Sequence, residues 1–215
     1  VLELALKTLL SYLLGSLLGA LLIGHTRGVD IRGLGSGNAG GTNALRTQGL
    51  GFAVGVVIID VGKALVAVGL LPGLDLPGVG FDPAVDRDWL AVACATAVVA
   101  GHVWPLYHEF QGGKGAATLI GAVCVLAPPA LIPVVLVWLA TVMLSGFVGL
   151  GTLLAAATLP ISLAVLKAGD ALIIFGIAMA AFMAWTHRAN IARMRAGNEN
   201  RVKRLWLLRP RDAGR

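Results

Sequence analysis

The chain has 215 residues, of which 57% are hydrophobic and only 13% charged, and it carries a net charge of +6. Soluble domains run at about 45–50% apolar and about 25% charged residues, so an ordinary water-soluble domain is excluded and the apolar excess calls for a bilayer. Nine of the 17 Lys and Arg residues follow His187, a distribution that suits a membrane surface or an anion-facing tail rather than a nucleic-acid groove.

A spanning helix needs about 20 mainly apolar residues. Residues 4–24 form the first candidate; no small-residue cleavage site follows a short apolar core, so the segment reads as a span and not a signal peptide. A polar, glycine-rich loop occupies 25–50, and the second candidate is 51–71. Pro, Gly and Asp75, Asp82, Asp86 and Asp88 crowd the next stretch. The third candidate, 89–103, is short and is followed by a polar stretch to Gly115. Then come 116–127, ended by Pro128-Pro129, and 130–144, 147–166 and 171–185. Pro128-Pro129 is either a kink in one long helix or the turn of a hairpin. Cys94 and Cys124 stand alone in apolar runs and read as small hydrophobes.

Charge selects among the topologies. With seven spans, the loops 25–50 and 104–115 and the tail share one side. That side holds Arg27, Arg32, Arg46, Lys114 and the nine late cations, against Lys7, Arg87 and Lys167 on the other. The positive-inside rule then makes the motif side cytoplasmic. The expectation is an all-α, polytopic transmembrane helical bundle of about seven spans, N-terminus outside and C-terminus cytoplasmic. It has one domain over residues 1–200 and a basic tail over 201–215, where residues 205–208 are suited to lie along the membrane surface.

Three polar clusters fall at span ends. The first is Gly35-Ser36-Gly37-Asn38-Ala39-Gly40-Gly41-Thr42-Asn43, with Arg46. Its glycines let main-chain N–H groups approach an anion; Ser36, Asn38, Thr42 and Asn43 add side-chain donors, and Arg46 can clamp phosphate. Gly35, Gly37 and Gly40 match a dinucleotide fingerprint but lack its βαβ context. His25 and Asp30 stand at the H-x4-D spacing of a different acyltransferase class, a coincidence of two common residues. The second cluster is Gly101-His102-Val103-Trp104-Pro105, then Gly112-Gly113-Lys114-Gly115. It sets a cation among backbone donors at a helix start, and it is no Walker A loop, because Gly115 stands where a hydroxyl must hold magnesium. The third is His187-Arg188-Ala189-Asn190, with Arg193, Gly197 and Glu199; His187 and Asn190 share a helical face. Within the second span, Asp60 and Lys63 are costly unless they pair or face water. The plainer readings are a flexible connector for the first loop, a helix-capping His102, a snorkelling Lys114 and a purely structural Asp60–Lys63 pair.

These clusters, in this order, resemble the PlsY family of bacterial acyl-phosphate:glycerol-3-phosphate acyltransferases. The resemblance spans residues 1–200 and rests on 35–43 with Arg46, 101–105, 110–115 with Thr118, and 189–191 with Arg193, Gly197 and Glu199. Asp60 and Lys63 fall where the family has an acid and a lysine. Ala39, Gly41 and Gln111 depart from the family's more usual Pro, Ala and Lys. The resemblance implies transfer of an acyl chain from acyl phosphate to the 1-hydroxyl of glycerol 3-phosphate, giving lysophosphatidic acid and phosphate in phospholipid biosynthesis. The implied location is the bacterial inner membrane, with the site on its cytoplasmic face and membrane lipids as neighbours. Acyl phosphate is already an activated anhydride, so the expectation includes no metal, no cofactor and no nucleic-acid partner.

The expected catalytic set is Ser36, Arg46, Lys114, His187 and Asn190. Arg46 and Lys114 bind phosphate; Ser36, Asn38 and Asn43 orient substrate or stabilise the oxyanion; His187 and Asn190 position glycerol 3-phosphate. The expected binding set adds Gly35, Gly37, Gly40, Thr42, Gly112, Gly113, Gly115, His102, Asp60 and Lys63. Either His187 or substrate phosphate accepts the hydroxyl proton. The competing class, a carrier of phosphorylated solutes, would place its polar residues at mid-membrane in paired repeats. No such repeat occurs here.

Overall fold

The computed structural model describes residues 1–202 and 206–208; residues 203–205 and 209–215, most of the expected basic tail, lie outside the described residues. Among the described residues there are ten α-helices and no strand. In chain order these are α1 Leu2–Gly15, α2 Gly19–Thr26, α3 Gly41–Gln48, α4 Leu50–Gly69, α5 Arg87–Val103, α6 Ala116–Leu126, α7 Leu131–Ser145, α8 Val148–Val165, α9 Asp170–Thr186 and α10 Arg188–Arg195. Four of them (α4, α5, α7 and α8) are long and apolar enough to cross a membrane with their terminal turns; the number is six if the bent pairs α1–α2 and α9–α10 each count once. The apolar α6 has only 11 residues.

The first expected span is therefore broken. Helices α1 and α2 meet at 45° across Ser16-Leu17-Leu18. Gly15 and Gly19, at the spacing of a small-residue packing motif, explain why the chain can bend there. A Cβ on Gly15 would lie 2.3 Å from the Val98 carbonyl oxygen of α5, and one on Gly19 would lie 2.8 Å from that of Val56 in α4. The motif thus brings backbones together within this chain.

One end of the bundle is locked by charge. Glu3 of α1 accepts from Lys7 at 2.7 Å and from both Arg87 Nη atoms at 2.7 and 2.8 Å, and Lys7 also donates to the Pro72 carbonyl at 3.0 Å. Asp86 caps α5 by accepting from the N–H groups of Asp88 and Trp89. This latch ties the stretch between α4 and α5 to the chain's first turn. At the opposite end lie the loops after α2 and α5 and the start of α10.

Packing shows what Pro128-Pro129 does. Gly115, at the head of α6, sits against Met183 of α9, while Gly69, at the foot of α4, faces Val125 near the end of α6. After α7 the chain is back at the first of these levels, because Gly149 packs on Asn190. The two prolines begin a short 3-10 turn that sends the chain back. The interior is built of small and branched residues, among them Ala64, Ala67, Val98, Val99, Ala122, Leu163 and Met183. Ile58, Ile132, Leu136, Ile161 and Val165 point outward, as hydrocarbon-facing positions require.

The beginning of the tail folds onto α7. Val202 N–H donates to the Gly146 carbonyl, Leu207 N–H to Met143 and Trp206 Nε1 to Leu144. These bonds satisfy carbonyls that a helix C-terminus leaves free. The Arg201 guanidinium lies over the rings of Phe147 and Trp206 at 4.3 and 4.2 Å. Leu207 and Leu208 remain exposed.

Candidate active site

The first loop is shaped from within. Asp30 Oδ1 accepts the Arg32 N–H at 2.9 Å and starts a short 3-10 turn. Asn43, in the first turn of α3, reaches back: its Oδ1 accepts from Ser36 N at 2.9 Å, and its Nδ2 donates to the carbonyls of Ile31 and Leu34 at 3.1 and 3.0 Å. The amide is buried and its oxygen and both N–H groups are engaged within the loop, so Asn43 organises it. Gly35 and Gly37 adopt φ of +59° and +72°, a region that favours glycine. A Cβ on Gly35 would strike Asn43 Oδ1.

The expected cradle of main-chain donors is only partly available. Ser36 N–H goes to Asn43, Gly37 N–H to the Leu34 carbonyl and Gly40 N–H to that of Asn38. The exposed groups are side chains: Ser36, Thr42 and Arg46 are solvent-accessible, and Asn38 is half-buried. Gly41 packs against Val57, where a Cβ would come to 3.0 Å of a methyl group.

The second loop is clamped around His102. Gly113 N–H donates to the His102 carbonyl at 3.1 Å. A Cβ on Gly112 would lie 2.1 Å from that oxygen, and one on Gly113 would lie 2.2 Å from His102 Nε2 and 3.0 Å from the Ala39 carbonyl oxygen. Gly112 packs on the end of α5 and on Pro105, and Gly113 stands where the first and second loops touch. Arg32 Nη1 adds two long contacts, 3.4 and 3.5 Å, to the carbonyls of His108 and Gln111. Gly115, at φ +85°, caps α6.

Lys114, between these glycines, meets the third cluster. Its ammonium donates to Asn190 Oδ1. Asn190 Nδ2 donates to Glu199 Oε1 at 2.7 Å, and Glu199 Oε2 accepts from Arg193 Nε at 2.6 Å. Thr186 Oγ1 donates to the Lys114 carbonyl at 3.2 Å. Burial, together with the like charges of Arg193 and Arg46, pushes the Lys114 ammonium down to about 8, against the opposing pull of Glu199. Among the described residues, the charges of Arg46 and Arg193, from two distant segments, thus act on Lys114, with the Glu199 carboxylate opposing them.

His187 is the residue at which α9 turns into α10, a 54° bend. Its Nδ1 donates to the Met183 carbonyl at 2.9 Å, which leaves Nε2 as an acceptor. Burial, and then the charge of Lys114, hold it far below the ordinary imidazole value, at about 4, so the ring is neutral at physiological pH. Asp60 and Lys63 do not reach this surface; both are buried at the α1–α2 break, with His102 beside them. Among the described residues there is no cluster of metal-ligating groups.

Two features were not anticipated. Thr186 steadies the Lys114 backbone, and its only signal in sequence was adjacency to His187. Trp104, Phe182 and Trp185 form an aromatic cluster with centroids 5.3–5.9 Å apart, where the end of α5 meets the end of α9; its members lie 81 positions apart at the extremes, beyond any local pattern.

Comparison with known proteins gives a consistent answer. A model of the glycerol-3-phosphate acyltransferase family matches residues 5–197. Two relatives named glycerol-3-phosphate acyltransferase, from Desulforamulus reducens and Desulforudis audaxviator, are 40% and 38% identical over 193 residues, covering 89% of this chain and 92% of each relative. Crystal structures of PlsY, described as an integral membrane glycerol 3-phosphate acyltransferase, superpose with a TM-score of 0.80 at 30% identity, over 92% of this chain and 94% of theirs. One is a glycerol 3-phosphate form and the other a lysophosphatidic acid form. With three donor-rich clusters gathered at one end of an all-helical apolar bundle, and a family model matched over nearly its whole length, the chain belongs to the PlsY family of glycerol-3-phosphate acyltransferases.

Proposed function

We propose that this chain transfers the acyl group of an acyl phosphate to the 1-hydroxyl of glycerol 3-phosphate, releasing lysophosphatidic acid and inorganic phosphate. The observation that carries the reading is the meeting of Lys114 with Asn190 under the charges of Arg193 and Arg46. Both substrates are phosphates, and a half-buried lysine whose charge is opposed by its own neighbours gains most from a phosphate dianion.

The hydroxyl oxygen attacks the acyl carbon; the carbon–oxygen bond to phosphate breaks and its electron pair leaves with the phosphate. Arg46 and Lys114 hold the phosphates, and Ser36 and Asn38 face the developing oxyanion. His187 Nε2 accepts the glycerol hydroxyl's hydrogen bond and orients it. An imidazole held at about 4 is a weak proton acceptor beside the departing phosphate, which is more basic even than a phosphate monoester, whose second ionisation lies at about 6. The departing phosphate therefore takes the proton. Positioning two anions against one another supplies much of the rate.

The same reading has seven passes, with α6 as a short one and α1–α2 and α9 as the first and last. The N-terminus is outside, and the active site faces the cytoplasm of a bacterial inner membrane. The site end carries Arg27, Arg32, Arg46, Lys114, Arg188, Arg193 and Arg195, which suits the positive-inside rule. A broken helix is also how carriers build ion sites; here the Lys63 ammonium itself occupies the freed carbonyls of Gly15 and Leu17.

The test is to incubate purified protein with glycerol 3-phosphate and either acyl phosphate or acyl coenzyme A. Lysophosphatidic acid should form with acyl phosphate. Product only with the thioester overturns the donor, and no product with either overturns the enzyme.

A further inference from the structure

The break between α1 and α2 leaves carbonyls free at the end of one helix and N–H groups free at the start of the next. Lys63 Nζ donates to the Gly15 and Leu17 carbonyls at 2.8 and 2.9 Å. Asp60 Oδ1 accepts the Gly19 N–H at 3.2 Å and lies 3.2 Å from Lys63 Nζ. A cation meets the negative end of α1 and an anion the positive end of α2, so the ion pair complements both helix ends. Asp60 is 1% exposed and Lys63 7%, which makes the bend a fixed corner.

His102 rests on that corner. Its Nδ1 lies 3.0 Å from Lys63 Nζ and 3.4 Å from Asp60 Oδ1. An ammonium has no lone pair, so Nδ1 accepts from Lys63 and the ring proton is on Nε2. That nitrogen faces Gly113, and the His102 carbonyl receives the Gly113 N–H. The next residue is Lys114.

From this chain of contacts we infer that Asp60, Lys63 and His102 are positioning residues: they transmit the rigid α1–α2 corner to the Gly112-Gly113 backbone and so fix where the Lys114 ammonium stands, without touching substrate. The inference rests on the reading of Lys114 as a phosphate-binding group. The surroundings agree with an internal rather than a ligand-facing role: Lys63 has three protein acceptors for its three protons, the Gly15 and Leu17 carbonyls and His102 Nδ1, and His102 is 2% exposed with Gly113 packed against its Nε2. Catalysis depends on such placement to within a fraction of an ångström.

The experiment is a double-mutant cycle read by calorimetric binding of glycerol 3-phosphate to the purified protein. His102→Leu should weaken binding about 10-fold in the wild type and by less than about 2-fold in a Lys114→Ala background, because its effect passes through Lys114. His102→Asn, whose Oδ1 can replace Nδ1 as the acceptor for Lys63, should restore most of the affinity. Equal losses from His102→Leu in both backgrounds make His102 a direct ligand contact and overturn the inference. If His102→Leu does not fold, the pair His102→Asn and His102→Gln decides: the inference requires the shorter amide to retain affinity and turnover and the longer one to lose both, and the reverse order overturns it. Wild-type binding and lysophosphatidic acid synthesis measured alongside separate this outcome from a failure of the acyltransferase reading itself.

Discussion

The Lys114 ammonium donates to the side-chain carbonyl of Asn190, 76 positions further along the chain. This bond joins the second motif to the third and sets the cation on which the proposed chemistry depends. Lys114→Met keeps most of the volume and removes the charge. It should lower kcat/KM by about 10²–10³-fold, as loss of a group that stabilises transition-state charge does. Helical content by circular dichroism should be unchanged. Wild-type-like turnover in the purified variant removes Lys114 from the mechanism.

Asn190 holds Lys114 with one end of its amide and Glu199 with the other. Asn190→Leu leaves both without that partner in a half-buried setting. The expected result is about a 10-fold or greater rise in KM for glycerol 3-phosphate together with a fall in kcat. Glu199→Gln keeps a hydrogen-bonding partner for Asn190 and loses only the pairing charge for Arg193, so its effect should be several-fold smaller. Steady-state kinetics of the two variants side by side checks the order.

The low position of Lys114 predicts a pH dependence with a definite sign. In the free site the ammonium is present below about pH 8 and is lost above it. Affinity for glycerol 3-phosphate should therefore fall as pH rises from about 7 to 9.5, while the phosphate itself stays dianionic. A bound dianion favours the ammonium, so binding near pH 8 takes up about half a proton. Titration calorimetry in two buffers of different ionisation enthalpy measures that uptake. Lys114→Arg, which cannot lose its charge in this range, should flatten the limb.

His187 is neutral above about pH 5 because burial and Lys114 hold it at about 4. No acidic limb from this ring should appear in kcat between pH 5.5 and 7.5. His187→Gln retains an amide that can meet the glycerol hydroxyl, and should keep turnover within about 10-fold of wild type. A loss of about 10³-fold or more is the signature of a general base and would return the proton to His187.

Gly113 has no room for a side chain: a Cβ would stand 2.2 Å from His102 Nε2 and 3.0 Å from the Ala39 carbonyl oxygen. Gly113→Ala must push the two loops apart. Overpacking of this kind costs about 1–3 kcal/mol, visible as a lower melting temperature, and activity should fall by more than about 10²-fold because Lys114 is the next residue. A Gly62→Ala control, at a position with open space around it, should change neither.

The apolar composition and the span-length runs imposed a bilayer-spanning helical bundle, since hydrocarbon accepts only backbones that satisfy themselves. The three polar clusters at span ends, and the family they point to, were equally legible, because a motif is a local string of residue types. Which partners each polar residue finds was decided by the fold. Asn43 reads as one more donor, yet its amide is consumed by Ser36, Ile31 and Leu34. Asp60 and Lys63 read as ligand groups or a simple pair, yet they close a helix break whose partners lie more than 40 positions upstream. Gly15 and Gly19 signal close packing, but only the carbonyls of Val98 and Val56 reveal against what. A side chain's donors and acceptors are fixed by its chemistry, whereas its partners are fixed by which distant segments the packed helices bring within about 3 Å.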